Sequence, residues 1–417
     1  MREVCVVGAG VVGVTTAWYL AEAGWRVRLL DRAGAVGTGT SFRNGGQLSY
    51  RYVSPLADAG VPMKALKWLL ERDGPLRFRP QAEWAQWSWL ARFLSRCHGE
   101  ANREMTARLV KLGAYSRERM NALLAEHDLP DFQWKQSGKL IIYRTPTTFQ
   151  RAARQVTSGD GRQVMSAEQC VQAEPALAQM NGKLQGGIFT DDEAVADCHG
   201  FCQALMSKLQ AHPNYLGLAA DSALGFEADS RGRVRLRTVQ GGLQGADAFV
   251  LAAGTASRHL AATLGLKLPI YPLKGYSLTA PIDEQRHTAP SVSITDFERK
   301  VLYARIGQQL RIAAMVDLVG EDERIDPARI ESLLRVARSD MPLAGDYAQA
   351  QPWAGLRPAT PDGAPILGPS PVPGLWFNLG HGALGFTFAC GTASILASLM
   401  GSGESPLPLD GFRWPAH

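Results

Sequence analysis

Gly8, Gly10 and Gly13 stand at the spacing G-x-G-x-x-G directly after the apolar run Val4-Cys5-Val6-Val7. The chemistry such spacing suits is anion binding. The first glycine permits a tight turn. The second lets the backbone approach a pyrophosphate, and the third lets the following helix pack on the strand. A helix over 11–23 then points the N–H groups of Val11, Val12 and Gly13 and its positive dipole end at the phosphates. Asp31 closes the next strand, over 26–30, about 20 positions past the glycines, where an acid accepts hydrogen bonds from ribose hydroxyls. Arg32 beside it would suit a 2′-phosphate, which Asp31 disfavours. The competing reading is a βαβ unit without a ligand. The context outweighs it, because Gly24 stops the helix and a second strand follows.

The elements that must position these residues come from the whole chain. Its 417 residues carry a net charge of +5 with no run of like charges, which gives no case for nucleic acid. The length is that of about two to three domains. Cys5, Cys97, Cys170, Cys198, Cys202 and Cys390 contain no C-x-x-C pair and no metal-ligand spacing. Reduced buried thiols, hence a cytoplasmic location, are expected. The N-terminal strand argues against a signal peptide. The absence of an 18-residue apolar stretch argues against a transmembrane helix.

Strand patterns at 4–7, 26–30, 246–253 and 374–379 predict one parallel sheet visited from distant parts of the chain. Segments 55–130 and 326–340 read as helical, 133–145 as a strand pair, and 355–368 as turn-rich. A sheet assembled in this way gathers the loops 8–13, 41–47, 254–257 and 380–385. The expected organisation is a nucleotide-binding domain over 1–50, 146–267 and 346–417, with a substrate domain over 51–145 and 268–345.

The segments Asn44-Gly45-Gly46-Gln47, Gly60–Trp68, Tyr271-Pro272-Leu273-Lys274-Gly275-Tyr276-Ser277-Leu278, Gly355-Leu356-Arg357-Pro358, Thr360-Pro361-Asp362-Gly363 and Gly380-His381-Gly382-Ala383-Leu384-Gly385 resemble one family. They look like the FAD-dependent amine and amino-acid oxidoreductases of the D-amino-acid oxidase type, nearest the small subunits of bacterial D-amino-acid dehydrogenases. The resemblance spans nearly the whole chain. It implies an α/β fold: a Rossmann-like FAD-binding domain with a discontinuous α+β substrate domain. It implies FAD contacts from Gly8, Gly10, Val11, Val12, Gly13, Asp31, Arg32, Ser41, Asn44, Gly45, Gly46, Gln47, Ala223, Ala253, Gly254, Gly355, Gly382, Leu384, Gly385, Phe386 and Thr387. Some relatives bond the flavin through a cysteine at the place of Gly355, so non-covalent FAD is expected here.

The implied reaction is hydride transfer from Cα of a small D-amino or D-imino acid to the flavin, the cofactor carrying the hard step. D-alanine, D-proline and hydroxy-D-proline are the expected class. Arg357 is the candidate for the substrate carboxylate, since a guanidinium offers two parallel hydrogen bonds. Its competing reading is an ion pair with a core acid such as Asp362. Tyr52, Tyr276 and Tyr303 are candidate pocket walls, each weighed against plain packing. His381 reads as structural or electrostatic first and as a base second. Electrons are expected to pass to a quinone or other respiratory acceptor. The Trp- and Arg-rich stretch 64–94 reads either as peripheral contact with the cytoplasmic face of the inner membrane or as core plus solvated face. A glycine- or sarcosine-type oxidase, or a non-catalytic FAD subunit of a hetero-oligomer, are the alternative readings.

Overall fold

A computed structural model describes residues 2–71, 74–157, 159–180, 182–229 and 232–414. Among these residues the strands form two large sheets that share no strand. In the first, Glu3–Val7 lies between Arg26–Asp31 and Ala248–Leu251, both parallel to it. Leu375–Leu379 extends the parallel order, and Ile366–Pro369 adds an antiparallel edge. The four expected strands are thus neighbours. Tyr215–Ala220, a further parallel strand beside Arg26–Asp31, has no expected counterpart.

Helix Val11–Glu22 starts at the glycine turn and stops where Gly24 takes φ +86°. It packs on helix Gly385–Gly401. Counted from Gly382, the stretch to Gly401 is apolar and long enough to cross a membrane, unlike the sequence expectation, but its side chains are mostly buried inside the protein. It is a core helix here, gripped on the other side by Gly99–Glu126.

The second sheet has nine strands among the described residues, including Lys139–Tyr143, Tyr271–Pro281, Val301–Ile306, Gln309–Leu318 and Gln351–Ala359. Two parts of the expected division change. Arg162–Ser166 and Gly186–Thr190 pair with one another, and the latter pairs with Lys139–Tyr143. The region 146–190 therefore belongs with the second sheet rather than with the nucleotide-binding one. Gln351–Ala359 is likewise a strand of the second sheet, paired along its whole length with Tyr271–Pro281. Its prolines and glycine suggest a turn; the partner strand overrides them.

The grip of Gly99–Glu126 on the core helix needs a glycine. A Cβ on Gly391 would sit 2.8 Å from Ser116 Cβ and 2.9 Å from its Cα. Gly391 N–H donates to Ser116 Oγ at 3.0 Å, and that hydroxyl donates to the Thr387 carbonyl at 2.7 Å. Gly391→Val should cost about 1–3 kcal/mol through overpacking, read as a lower thermal midpoint.

Candidate active site

The glycine turn is built as its spacing requires. Gly8 sits at φ +106°, and a Cβ there would lie 2.6 Å from the Ala252 carbonyl oxygen. A Cβ on Gly13 would run into the Gly8 carbonyl, so helix and strand approach as closely as backbones allow. Gly10 brings no capping side chain to the helix. Val11 N–H donates to Ser41 Oγ at 3.0 Å. The first-turn N–H groups of Val12 and Gly13 have no carbonyl partner within the helix and remain for a ligand. The Asp31 carboxylate accepts from Ala9 N–H at 2.8 Å and from Ala33 N–H at 2.9 Å, leaving lone pairs toward the loop. Arg32 is exposed beside it. Asp221 N–H donates to the Asp31 carbonyl, which brings Ala223 to the same end of the sheet. Gly254, just past Ala253, takes φ +59° with open space where a Cβ would be.

The loop 40–47 meets the second sheet. Thr40 Oγ1 donates to the Leu356 carbonyl at 2.7 Å, and Ser277 Oγ donates to the Arg43 carbonyl at 2.8 Å. The buried Arg311 donates to the Asn44 carbonyl at 2.6 Å. Gly45 lies against the Leu302 methyls, and Gly46 lies against Ile306 and the Ala196 carbonyl with no room for a Cβ. Asn44 Oδ1 closes the turn by accepting from Gly46 N–H at 2.9 Å.

Several expected contacts have their side chains engaged elsewhere. The Gln47 amide donates to Ser293 Oγ at 2.5 Å and accepts from Lys139 and Thr295. Phe386 packs into the core against Phe201. Thr387 Oγ1 accepts from Ser49 N–H at 3.3 Å. Gln47 and Phe386 thus have their side chains engaged, while the Thr387 hydroxyl keeps its hydrogen to donate. Gly382, Leu384 and Gly385 lie at the start of the core helix, against Gln351–Ala359 and near Val12.

Arg357 lies on the sheet face that also carries Ser277. Its guanidinium sits over Gly275, where any side chain would collide with it. Nη1 donates to the Met315 carbonyl at 2.9 Å. That carbonyl is turned toward it by a bulge at which Met315 takes φ +70°. No carboxylate among the described residues pairs with Arg357. Asp317 is taken by Arg329 at 2.7 Å, and Asp362 accepts from Ala364 N–H instead. Burial lowers the Arg357 pKa to about 10, with partial relief from Asp317. The side chain is only half-buried and keeps most of its donors.

The tyrosines separate by face. Tyr276 and Tyr303 are 2% and 1% exposed, in the core between the second sheet and helix Pro327–Asp340. Their hydroxyls donate to Asp317 and Asp340. They lie on the face away from the loop, so the expectation that they line the pocket is corrected. The two-residue period of a strand puts Ser277, not Tyr276, toward the loop. Tyr52 is half-buried on the loop side, and its hydroxyl makes no hydrogen bond among the described residues. Burial and Glu298 raise its pKa to about 12.

His381 is buried, with Nε2 3.1 Å from Thr392 Oγ1. Burial lowers its pKa to about 3. So low a pKa makes it a weak acceptor of protons, which favours the structural or electrostatic reading over the base. Sequence reading overlooked Lys139, which is 3% exposed and donates to Gln47 Oε1 at 2.8 Å and Ser49 Oγ at 2.6 Å. A lysine at the head of an apolar strand run was the available signal.

These features place the chain in a class. The family model for FAD dependent oxidoreductases (DAO) matches residues 3–399, and the chain belongs to that family. The D-amino acid dehydrogenase 2 of Pseudomonas aeruginosa is 48% identical, over 96% of this chain and 95% of that one. A D-amino acid dehydrogenase of Vibrio cholerae is 40% identical, over 100% and 99%. Among solved structures, glycine oxidase from Geobacillus kaustophilus superposes with a TM-score of 0.76 at 21% identity, covering 100% of both chains. L-proline dehydrogenase from P. horikoshii gives 0.73 at 17%, covering 99% and 96%. FAD is the cofactor of the family, and the glycine turn, the unpartnered first-turn N–H groups and Asp31 fit it.

The His381 environment makes stability pH-dependent. Its unfolded form takes up a proton below about 6.5, while the folded form resists until about 3. The unfolded state then binds more protons, so stability present above pH 6.5 falls on acidification by up to about 1.4 kcal/mol per pH unit. Urea unfolding of the holoprotein between pH 7 and 5 should show that slope, reduced in His381→Gln.

Proposed function

We propose that the chain is a D-amino-acid dehydrogenase that oxidises the Cα–N bond of small D-amino or D-imino acids, the D-alanine and D-proline class. The observation that carries this reading is Arg357: a buried-side cation without a carboxylate of its own, its free donors on the face that meets the cofactor loop. An unpaired guanidinium in low dielectric binds a substrate carboxylate by two charge-assisted hydrogen bonds. The high identity to two D-amino acid dehydrogenases supports the substrate class.

When bound, FAD accepts the hydride from Cα. The chain's own residues would hold and orient. The glycine turn and the N–H groups of Val12 and Gly13 would take the pyrophosphate, and Asp31 the ribose. Arg357 would fix the carboxylate, and Tyr52 would wall the substrate. The cofactor would be held without a covalent bond, because Gly355 has no side chain and the Trp353 ring lies over it. Ala383 and Leu384 bring no charge to the pocket rim, which suits an apolar or cyclic substrate. Electrons would leave to a quinone or another respiratory acceptor.

Anaerobic addition of D-alanine or D-proline should bleach the visible flavin band, and the L-enantiomers should not. Rapid reoxidation in air would favour an oxidase over the dehydrogenase. Arg357→Ala should retain flavin and raise the apparent KM for D-alanine about 30- to 5000-fold, the 2–5 kcal/mol typical of a lost buried charged pair. An unchanged KM would refute the carboxylate role.

The helices Val61–Leu70 and Trp84–Arg96 offer a surface for the acceptor's membrane. Leu70 is 89%, Trp84 81% and Met63 74% exposed, and Lys64, Lys67 and Arg92 are exposed on the same helices. Aromatic and aliphatic side chains among cations suit an anionic headgroup zone. Co-sedimentation with anionic vesicles, lost in Leu70→Ser/Trp84→Ser, is the expected outcome. Binding that survives the double change would point away from this surface.

A further inference from the structure

The segment 47–52 joins the cofactor loop to Tyr52, and two buried charged side chains bind it. The Lys139 ammonium donates to the side chains of Gln47 and Ser49. The Glu193 carboxylate, 1% exposed, accepts from Tyr50 N–H and Arg51 N–H, each at 2.8 Å. The two charges come from adjoining places: Lys139 pairs with Thr190 across two strands, and Gly138 N–H donates to the Glu193 carbonyl at 3.0 Å. Lys139 Nζ also lies 5.0 Å from the centroid of the Tyr52 ring. One ammonium therefore binds residues 47 and 49 by hydrogen bonds and residue 52 through its ring face. Burying a lysine is costly. Nothing in the packing of an otherwise apolar strand requires one there.

We propose that Lys139 is a positioning residue for the oxidation reaction: with Glu193 it clamps the segment 47–52 so that the free Tyr52 hydroxyl is presented to the substrate. The proposal rests on the reading of the site given above. It assigns Lys139 no contact with the reacting atoms. Its effect on turnover runs through Tyr52, and the two residues must therefore be coupled.

A double-mutant cycle on the full-length holoenzyme tests this, with D-alanine as substrate. Lys139→Met keeps the length of the side chain and removes the charge. Lys139→Met and Tyr52→Phe are each expected to lower kcat/KM about 10-fold, with flavin content unchanged and the loss mostly in kcat. The double variant is expected to be no worse than Lys139→Met alone. A multiplicative loss of about 100-fold would overturn the proposal, as would wild-type kinetics in Lys139→Met. Should Lys139→Met fail to fold, Lys139→Gln, which can still donate to Ser49 Oγ, takes its place in the cycle. Failure of the functional reading would appear separately, as a wild-type flavin that no amino acid bleaches. The same cycle is then run on benzoate affinity, read from the flavin band, and additivity there would equally overturn the coupling.

Discussion

Residues 40–51 cross from the first sheet to the second, and they are bound through both backbone and side chains. Thr40 and Arg43 are tied to Leu356 and Ser277, Asn44 to Arg311, Gln47 and Ser49 to Lys139, and Tyr50 and Arg51 to Glu193. Gly46, at φ +67°, is wedged against Ile306 and the Ala196 carbonyl where no Cβ fits, and a Cβ on Gly45 would displace the Leu302 methyls. A segment held at so many points has one geometry. The phosphate turn at Gly8–Gly13 and the guanidinium at Arg357 lie on different sheets, and that geometry fixes their separation together with the direct bridge between Ala359 and His381.

The legible and illegible parts of this arrangement differ in the range of the interaction that fixes them. The phosphate turn is local: positive φ at Gly8, close approach at Gly13 and a C-terminal stop at Gly24 are all consequences of residue type within one βαβ unit, and each stands where its spacing implies. Strand Gln351–Ala359 is the opposite case. Pro352, Gly355 and Pro358 argue for a turn, and only the pairing with residues 271–279 makes it a strand. Arg162–Ser166 is similar, a largely polar edge strand within a stretch, 147–180, that reads as polar helical segments until Gly186–Thr190 lies beside it.

The tyrosines show a finer limit. Tyr52, Tyr276 and Tyr303 are chemically the same candidate, and sequence has no means of telling which side of a sheet is the working one. One residue of register separates Ser277, bonded to the cofactor loop, from Tyr276, buried against the opposite helix. The bulge that shifts the pairing between Lys274 and Tyr276 adds a further break in the alternation. Lys139 escaped for a related reason: its chemistry depends on two partners about 90 residues away in sequence, at 47 and 49.

Asp317 ties the electrostatics together. It is 1% exposed, and Arg329 and the Tyr276 hydroxyl occupy both of its oxygens. It is close enough to ease the burial of Arg357, yet its hydrogen bonds are spent on others. Arg357 thus keeps its charge at neutral pH without a competing partner. A lysine in this place would be worse on two counts. It would lose its proton more readily when buried, and a compact ammonium cannot hold the Met315 carbonyl while presenting two parallel donors to a carboxylate. The glycine beneath it at 275 is the other half of the same solution, since the planar guanidinium lies flat only where the opposite strand has no side chain.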